Sequence, residues 1–237
     1  MITALDHRPA HVRGREMAEA LFAHPVAVAA RDPHGQAPPL FAEEAASMRR
    51  AVPRRFREFA AGRAAAREAA GRLGIAAGAI PMAADRAPLW PEGLVGSISH
   101  CDRCCLAAVA PSWAAASIGL DVEEDTPLDA DLIAVICTPA ERDWLAAQPR
   151  AEVNHLAKLI FSAKECAYKC QYPLTGRIFG FDGLEITLVP DRGEFTARFL
   201  MEIGTFAPGC RLFGRFQRRQ GLIVTAMKLA PDGKDTQ

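Results

Sequence analysis

The chain offers no net charge to a polyanion: Lys plus Arg and Asp plus Glu each number 28 in 237 residues. That balance gives no reason to expect nucleic acid or an anionic membrane surface as a partner. No stretch approaches the roughly 18 uninterrupted apolar residues that a membrane-spanning helix needs. The opening MITALDHRPAHVRGRE lacks the apolar centre of a secretory signal, so the expected compartment is the cytoplasm. The seven cysteines are odd in number; without an export signal they read as reduced thiols, and no structural disulfide is expected.

What the chain does have is enough apolar content, 50%, for a substantial core in one large domain or two small ones. Residues 1–40 show little periodicity, apart from an apolar run at 25–30 that reads as an edge strand. From 41 to 73 the chain is rich in Ala, Glu and Arg, interrupted by Pro53 and Gly62, and predicts one broken or two consecutive helices ending at Gly74. Three β-prone runs follow at 94–100, 105–110 and 116–122, the first two forming a hairpin and all three suggesting one small sheet. Helical signals return at 128–136, behind Thr138-Pro139-Ala140-Glu141, which has the form of a capping box, and at 153–171. Strands are expected at 184–189 and 194–201, then at 211–217 pairing with 222–229 across a turn. A long helix and a three-stranded sheet, then the same plan again, suggest two similar halves, although no letter-by-letter repeat supports the duplication.

Two acidic segments carry the chemistry. In Ser117-Ile118-Gly119-Leu120-Asp121-Val122-Glu123 the pleat puts both carboxylates on one face and Leu120 and Val122 on the other. In Phe161-Ser162-Ala163-Lys164-Glu165-Cys166-Ala167-Tyr168-Lys169, Phe161, Glu165 and Lys169 recur along one helical stripe. Separately these read as a solvated strand end and an exposed helix face. Together they would place three carboxylates and an ammonium around one point, a group suited to Mg²⁺ and a phosphate ester. A competing group is His100-Cys101-Asp102-Arg103-Cys104-Cys105, whose C-x-x-C spacing suits zinc or thiol-redox chemistry. No second ligand pair accompanies it, and these cysteines read better as small buried hydrophobes.

The combination resembles the 4′-phosphopantetheinyl transferase superfamily, within it the enterobactin synthase component D and surfactin-type group. The family's G-[IL]-D-x-E appears as Gly119, Leu120, Asp121 and Glu123, and its [FW]-x-x-K-E-[AC]-x-x-K as Phe161, Lys164, Glu165, Cys166 and Lys169. Pro88-Leu89-Trp90-Pro91 followed by Gly96-Ser97-Ile98-Ser99-His100-Cys101 is similar to a third family block, and the arginine-rich 54–63 to a fourth. One departure is Arg86-Ala87-Pro88, standing where many surfactin-type members have Gly-Lys-Pro against adenine.

The resemblance implies an α/β (α+β) fold of two pseudo-twofold-related subdomains, each a mainly antiparallel sheet with a long helix. They would divide into 1–123, with the coenzyme A-binding helix and the Asp-x-Glu strand, and 124–237, with the second acidic helix, leaving the active site in the cleft between. It implies an enzyme moving 4′-phosphopantetheine from coenzyme A to a serine of an apo acyl, peptidyl or aryl carrier protein, most simply as a monomer; the alternative is a catalytically silent module that binds coenzyme A or a carrier protein. Asp121, Glu123 and Glu165 would hold Mg²⁺. Glu165 would also be the general base, directly or through a metal-bound water, and Lys169 would stabilise the pyrophosphate. His100, Arg55 and Arg63 would meet the 3′-phosphate of coenzyme A, with Ser99 beside them. Arg86 and Pro88 would lie at the adenosine end, and Lys164 would position phosphate or carrier.

Overall fold

In the computed structural model, which describes residues 8–231, helices and strands follow in one order. They are α1 (Ala10–Glu19), β1 (Ala27–Arg31), α2 (Ala42–Ala46), α3 (Pro53–Arg72), β2 (Leu94–His100), β3 (Cys105–Pro111), β4 (Ser117–Glu124), α4 (Ala130–Ile136), α5 (Pro139–Ala146), α6 (Val153–Thr175), β5 (Leu184–Val189), β6 (Glu194–Phe199), β7 (Arg211–Arg219) and β8 (Leu222–Leu229). Local chemistry explains several boundaries. Pro53 and Pro139 each occupy the first turn of a helix, where the missing N–H would have no partner. The capping box at Thr138 is formed: its hydroxyl accepts from Glu141 N at 3.2 Å, and Glu141 Oε2 accepts from Thr138 N at 2.6 Å. Helix α6 runs past residue 171, through Pro173, to a left-handed Gly176 with φ of 62°.

The strands make two antiparallel sheets, β1-β3-β2 and β4-β8-β7-β6-β5. Helix α3 lies on the smaller sheet, presenting Ala65, Ala66, Ala69 and Ala70 to Ala29, Leu94, Ala107 and Val109. Alanine keeps this contact close while favouring the helix. On the other side of that sheet, Met17 of α1 packs with Leu106, Ala108, Ile118, Leu120 and Val122. Helix α6 covers the larger sheet with Leu159, Ile160, Ala163 and Ala167 against Ile186, Phe195, Phe199 and Met227. Each large apolar side chain in these layers contributes on the order of 1.5–3 kcal/mol by burial. No helix among the described residues is long and apolar enough to cross a membrane.

Two sequence expectations are corrected. Strand β4 does not join β2 and β3 in one sheet but pairs with β8, from Ser117↔Leu229 to Glu124↔Leu222. Along β2 the hydroxyls of Ser97 and Ser99 accept from Leu120 N and Val122 N, at 3.2 and 3.3 Å. Side chains thus satisfy the backbone donors that a β2 ladder would have used, leaving a seam between the sheets. The other correction is α1, in a region that looked aperiodic. Its buried positions Arg13, Gly14, Met17 and Ala18 have helical spacing, but a cation and a glycine on that face conceal the period.

Strand β4 is pressed between the layers, Leu120 and Val122 toward the N-terminal core and Gly119, Asp121 and Glu123 toward α6. At Gly119 a Cβ atom would lie 2.2 Å from the Cys166 carbonyl oxygen. The glycine before Asp121 is therefore required by the close approach of α6 to β4, which brings the two acidic segments together.

Candidate active site

Asp121 is 2% exposed, at the base of a cleft. Its Oδ1 accepts from Ser99 Oγ at 2.8 Å and from Lys169 Nζ at 2.6 Å, while Oδ2 accepts from Ser162 Oγ at 2.8 Å. Lys169 also donates to Ser99 Oγ at 3.0 Å. One carboxylate thus joins β2, β4 and α6. Glu123, next on the same face, pairs with Lys158 Nζ at 2.6 Å. Glu165 makes no hydrogen bond or ion pair among the described residues.

The charge environment follows from this geometry. Burial raises the Glu165 pKa, Lys169 pulls it back, and Asp121 and Glu123 push it up again. Burial and then the charge of Asp121 raise Glu123 against the pull of Lys158. Burial opposes the Lys169 ammonium, but the charge and hydrogen bond of Asp121, with Glu165, outweigh it and hold its pKa above the ordinary value. Among the described residues no three His, Cys, Asp or Glu side chains converge as they stand. The acidic triad instead faces one space, with ammonium groups on two of its members.

The opposite wall is basic. The cleft, about 280 Å³, is lined by Asp121, Glu123, Glu165 and Lys169 on one side and by Arg55, Arg63, Arg86 and His100 on the other, with Ser99 and Pro88 between. Arg55 Nη1 lies 3.1 Å from His100 Nε2, and Glu58 Oε2 lies 3.8 Å from each of these atoms. Burial pulls the His100 pKa below its usual value, against Glu58 and together with Arg55 and Lys169, so the ring is neutral at neutral pH and its Nε2 accepts from Arg55. Arg63 is 5% exposed, donates from Nε to Ile80 O at 2.7 Å and stacks over the Phe59 ring at 4.0 Å. It forms no ion pair among the described residues, and burial draws its pKa down to about 10. A buried guanidinium without a carboxylate partner is costly unless an anion joins it.

Lys164 is the sequence-predicted residue that the structure does not bring to this cleft. It is 2% exposed, and its Nζ donates to Ile136 O at 2.8 Å and Phe181 O at 2.9 Å and pairs with Glu141 Oε2 at 2.8 Å. Glu141 in turn accepts from Ile186 N at 2.6 Å, so Lys164 fastens α6 to α5 and β5. The helical period would have shown this: Lys164 falls a quarter turn off the stripe of Phe161, Glu165 and Lys169. Lys158 and Ser162 went unrecognised; Lys158 stands seven residues before Glu165, two helical turns along the same stripe. Among the described residues the cysteines form no disulfide and belong to no cluster of three metal-ligating side chains. All seven are free, and burial pushes the Cys101 and Cys105 thiols up to about 11 and 12.

Two outcomes follow for the isolated protein. Lys164→Met leaves Glu141 buried without its cation and is expected to cost about 3–5 kcal/mol, seen as a large drop in urea midpoint; an unchanged midpoint would contradict this structural role. Glu165→Gln is expected to act oppositely. Its folded-state pKa is raised, so the stability contributed by the protonated acid is present below the unfolded value and lost as pH rises through the folded one. In EDTA at neutral pH the variant should therefore gain about 2–4 °C in Tm per kcal/mol recovered. The gain should vanish toward about pH 4, and an equal Tm at both pH values would show that the carboxylate is not desolvated.

Residues 43–110 match the family model described as the 4′-phosphopantetheinyl transferase N-terminal domain, and residues 117–215 that of the 4′-phosphopantetheinyl transferase superfamily. The chain is 46% identical over 196 residues to 4′-phosphopantetheinyl transferase Svp of Streptomyces mobaraensis, covering 81% of this chain and 79% of Svp. It is 36% identical over 205 residues to 4′-phosphopantetheinyl transferase PptT of Mycobacterium tuberculosis, covering 84% and 88%. To enterobactin synthase component D of Salmonella typhi it is 37% identical over 145 residues, covering 59% and 58%. Matches on both sheets, at these identities and coverages, establish that the chain belongs to the 4′-phosphopantetheinyl transferase superfamily and is a transferase.

Proposed function

We propose that this enzyme transfers the phosphopantetheine arm of coenzyme A to the serine hydroxyl of an apo carrier protein, leaving adenosine 3′,5′-bisphosphate. The observation that carries the reading is the buried Arg63, which has no ion-pair partner among the described residues, in a cleft with one basic and one acidic wall. A diphosphate ester with a further phosphate supplies the anions that the basic wall lacks. In the reaction the serine oxygen bonds to the phosphorus that carries the pantetheine arm, and that phosphorus loses its bond to the bridging oxygen of the pyrophosphate. The serine proton passes to Glu165, which has no hydrogen-bonding or ion-pair partner among the described residues and whose pKa is raised by burial. Lys169, held by Asp121 and Ser99, places a fixed positive charge where the leaving phosphate becomes more negative. Arg55, Arg63 and His100 receive the 3′-phosphate, and Arg86 and Pro88 border the adenosine.

Asp121, Glu123 and Glu165 fit a hard divalent cation: all three offer oxygen, all face one space, and two already attract ammonium groups. When bound by them, Mg²⁺ supplies charge neutralisation on the pyrophosphate. The carriers are those of fatty-acid, polyketide, non-ribosomal peptide or siderophore assembly, and the enzyme is read as a cytoplasmic monomer.

The direct test is intact-mass spectrometry of apo carrier proteins incubated with the enzyme, coenzyme A and Mg²⁺. One added phosphopantetheine is expected, absent with EDTA and with Glu165→Ala; no addition on any carrier type would overturn the reading. His100→Ala should weaken coenzyme A by about 10- to 100-fold, the size of a charged hydrogen bond, while 3′-dephospho-coenzyme A is little affected. Calorimetry on both ligands checks this, and equal losses would remove His100 from the 3′-phosphate.

A further inference from the structure

The segment 81–89, which carries Arg86 and Pro88 into the cleft, is a small hairpin fixed at its base. Leu89 N donates to Pro81 O at 2.9 Å. Just before the hairpin, Ile80 is held by Arg63 through its carbonyl at 2.7 Å and by Glu44 through its N–H at 2.9 Å. The tip is a tight turn in which Ala83 N donates to Ala87 O at 2.9 Å and Arg86 N to Ala83 O at 3.0 Å. Within it Arg86 has φ of 75°, a left-handed conformation that costs a non-glycine residue roughly 1–2 kcal/mol and persists only where surroundings over-determine it. Asp85 provides that determination on both sides. Its Oδ1 accepts from Ala87 N at 2.9 Å, and its Oδ2 accepts from the hydroxyl of Tyr172.

Tyr172 lies on α6, close to one turn beyond Tyr168 and Lys169, and its ring stacks on Tyr168 with centroids 5.7 Å apart. Tyr168 packs in turn on Phe179 at 5.5 Å. The tip therefore reaches across the mouth of the cleft to an aromatic post on the helix that carries Glu165 and Lys169. Among the described residues this is the tip's one hydrogen bond outside its own turn. It also addresses an electrostatic problem, because a carboxylate beside Arg86 would repel a phosphorylated ligand. With both oxygens engaged, that carboxylate is directed to the helix.

We propose that Asp85 and Tyr172 are positioning residues, a strap that holds the Arg86–Pro88 segment down against α6 and thereby sets the affinity for coenzyme A. The proposal rests on the reading that coenzyme A occupies this cleft. The strap persists across neutral pH, since its hydrogen bond lowers the Asp85 pKa and raises that of Tyr172 to about 12.

Tyr172→Phe removes the hydroxyl and keeps the ring. It should raise the KM for coenzyme A about 3- to 10-fold, the effect of one hydrogen bond, with a smaller change in kcat and in the carrier KM. Amide exchange at 81–89 should quicken in the ligand-free variant. Asp85→Asn should retain near-wild-type values, because an amide can accept from Ala87 N–H and donate to the Tyr172 oxygen. A wild-type coenzyme A KM in Tyr172→Phe, or unchanged exchange at 81–89, would overturn the strap even if Tm fell. A wild-type enzyme that neither binds coenzyme A nor modifies a carrier would instead overturn the reading of function, and with it the strap's role in coenzyme A affinity.

Discussion

The architecture turns on the hydrogen bonds made by one buried carboxylate. Asp121 engages Ser99 of β2 and both Ser162 and Lys169 of α6, and Ser162 continues the network to Thr225 of β8, 3.0 Å away. A carboxyl group at 2% exposure is tolerable only because its oxygens have donors and a cation beside them. The same contacts hold the two sheets and the long helix in register. Fold and site therefore share one constraint, and α6 approaches β4 closely enough to satisfy it because residue 119 has no Cβ.

Around that point the cleft is divided by charge. Its acidic wall comes from β4 and α6, which pack directly on one another, so Asp121, Glu123, Glu165 and Lys169 are held by regular backbone. The basic wall comes from α3, the end of β2 and the hairpin 81–89, and its charge is incompletely compensated: among the described residues Arg63 has no ion pair. Rigid acids facing under-neutralised bases favour a ligand with several phosphates, because desolvation has already occurred and the ligand supplies the missing partners. The enzyme stores this unfavourable electrostatics in folded form, and the aliphatic and alanine-rich contacts of the three core clusters offset it.

Much of this was legible in residue order. The pleat of β4 put Asp121 and Glu123 on one face, the helical period put Phe161, Glu165 and Lys169 on one stripe, and the capping box marked α5, whereas Pro53 and Gly62, read as interruptions, stand at the start and in the middle of α3. Lys164 lies outside the Asp121 cleft that its motif neighbours Glu165 and Lys169 line. Its partner Glu141 is 23 residues away, and only packing of α5 on α6 reveals a buried pair. Helix α1 escaped because Arg13 and Gly14 sit on its buried face, where periodicity arguments look for large apolar residues. Lys158 escaped because an ion pair to a strand 35 residues earlier leaves no local trace.

Residue order alone sets which atoms are available for the chemistry: the carboxylates of β4 and α6, the arginines of α3, the histidine at the end of β2, and the local elements that present them. Those are properties of spacing and of intrinsic backbone preference, which act over a few residues. Tertiary structure alone decided that β4 leaves its neighbours in sequence to pair with β8, that Lys164 turns inward while Lys158 turns to Glu123, and that the hairpin tip meets Tyr172. Each of these depends on which surfaces are buried together, a competition among contacts distant in the chain that no local pattern encodes.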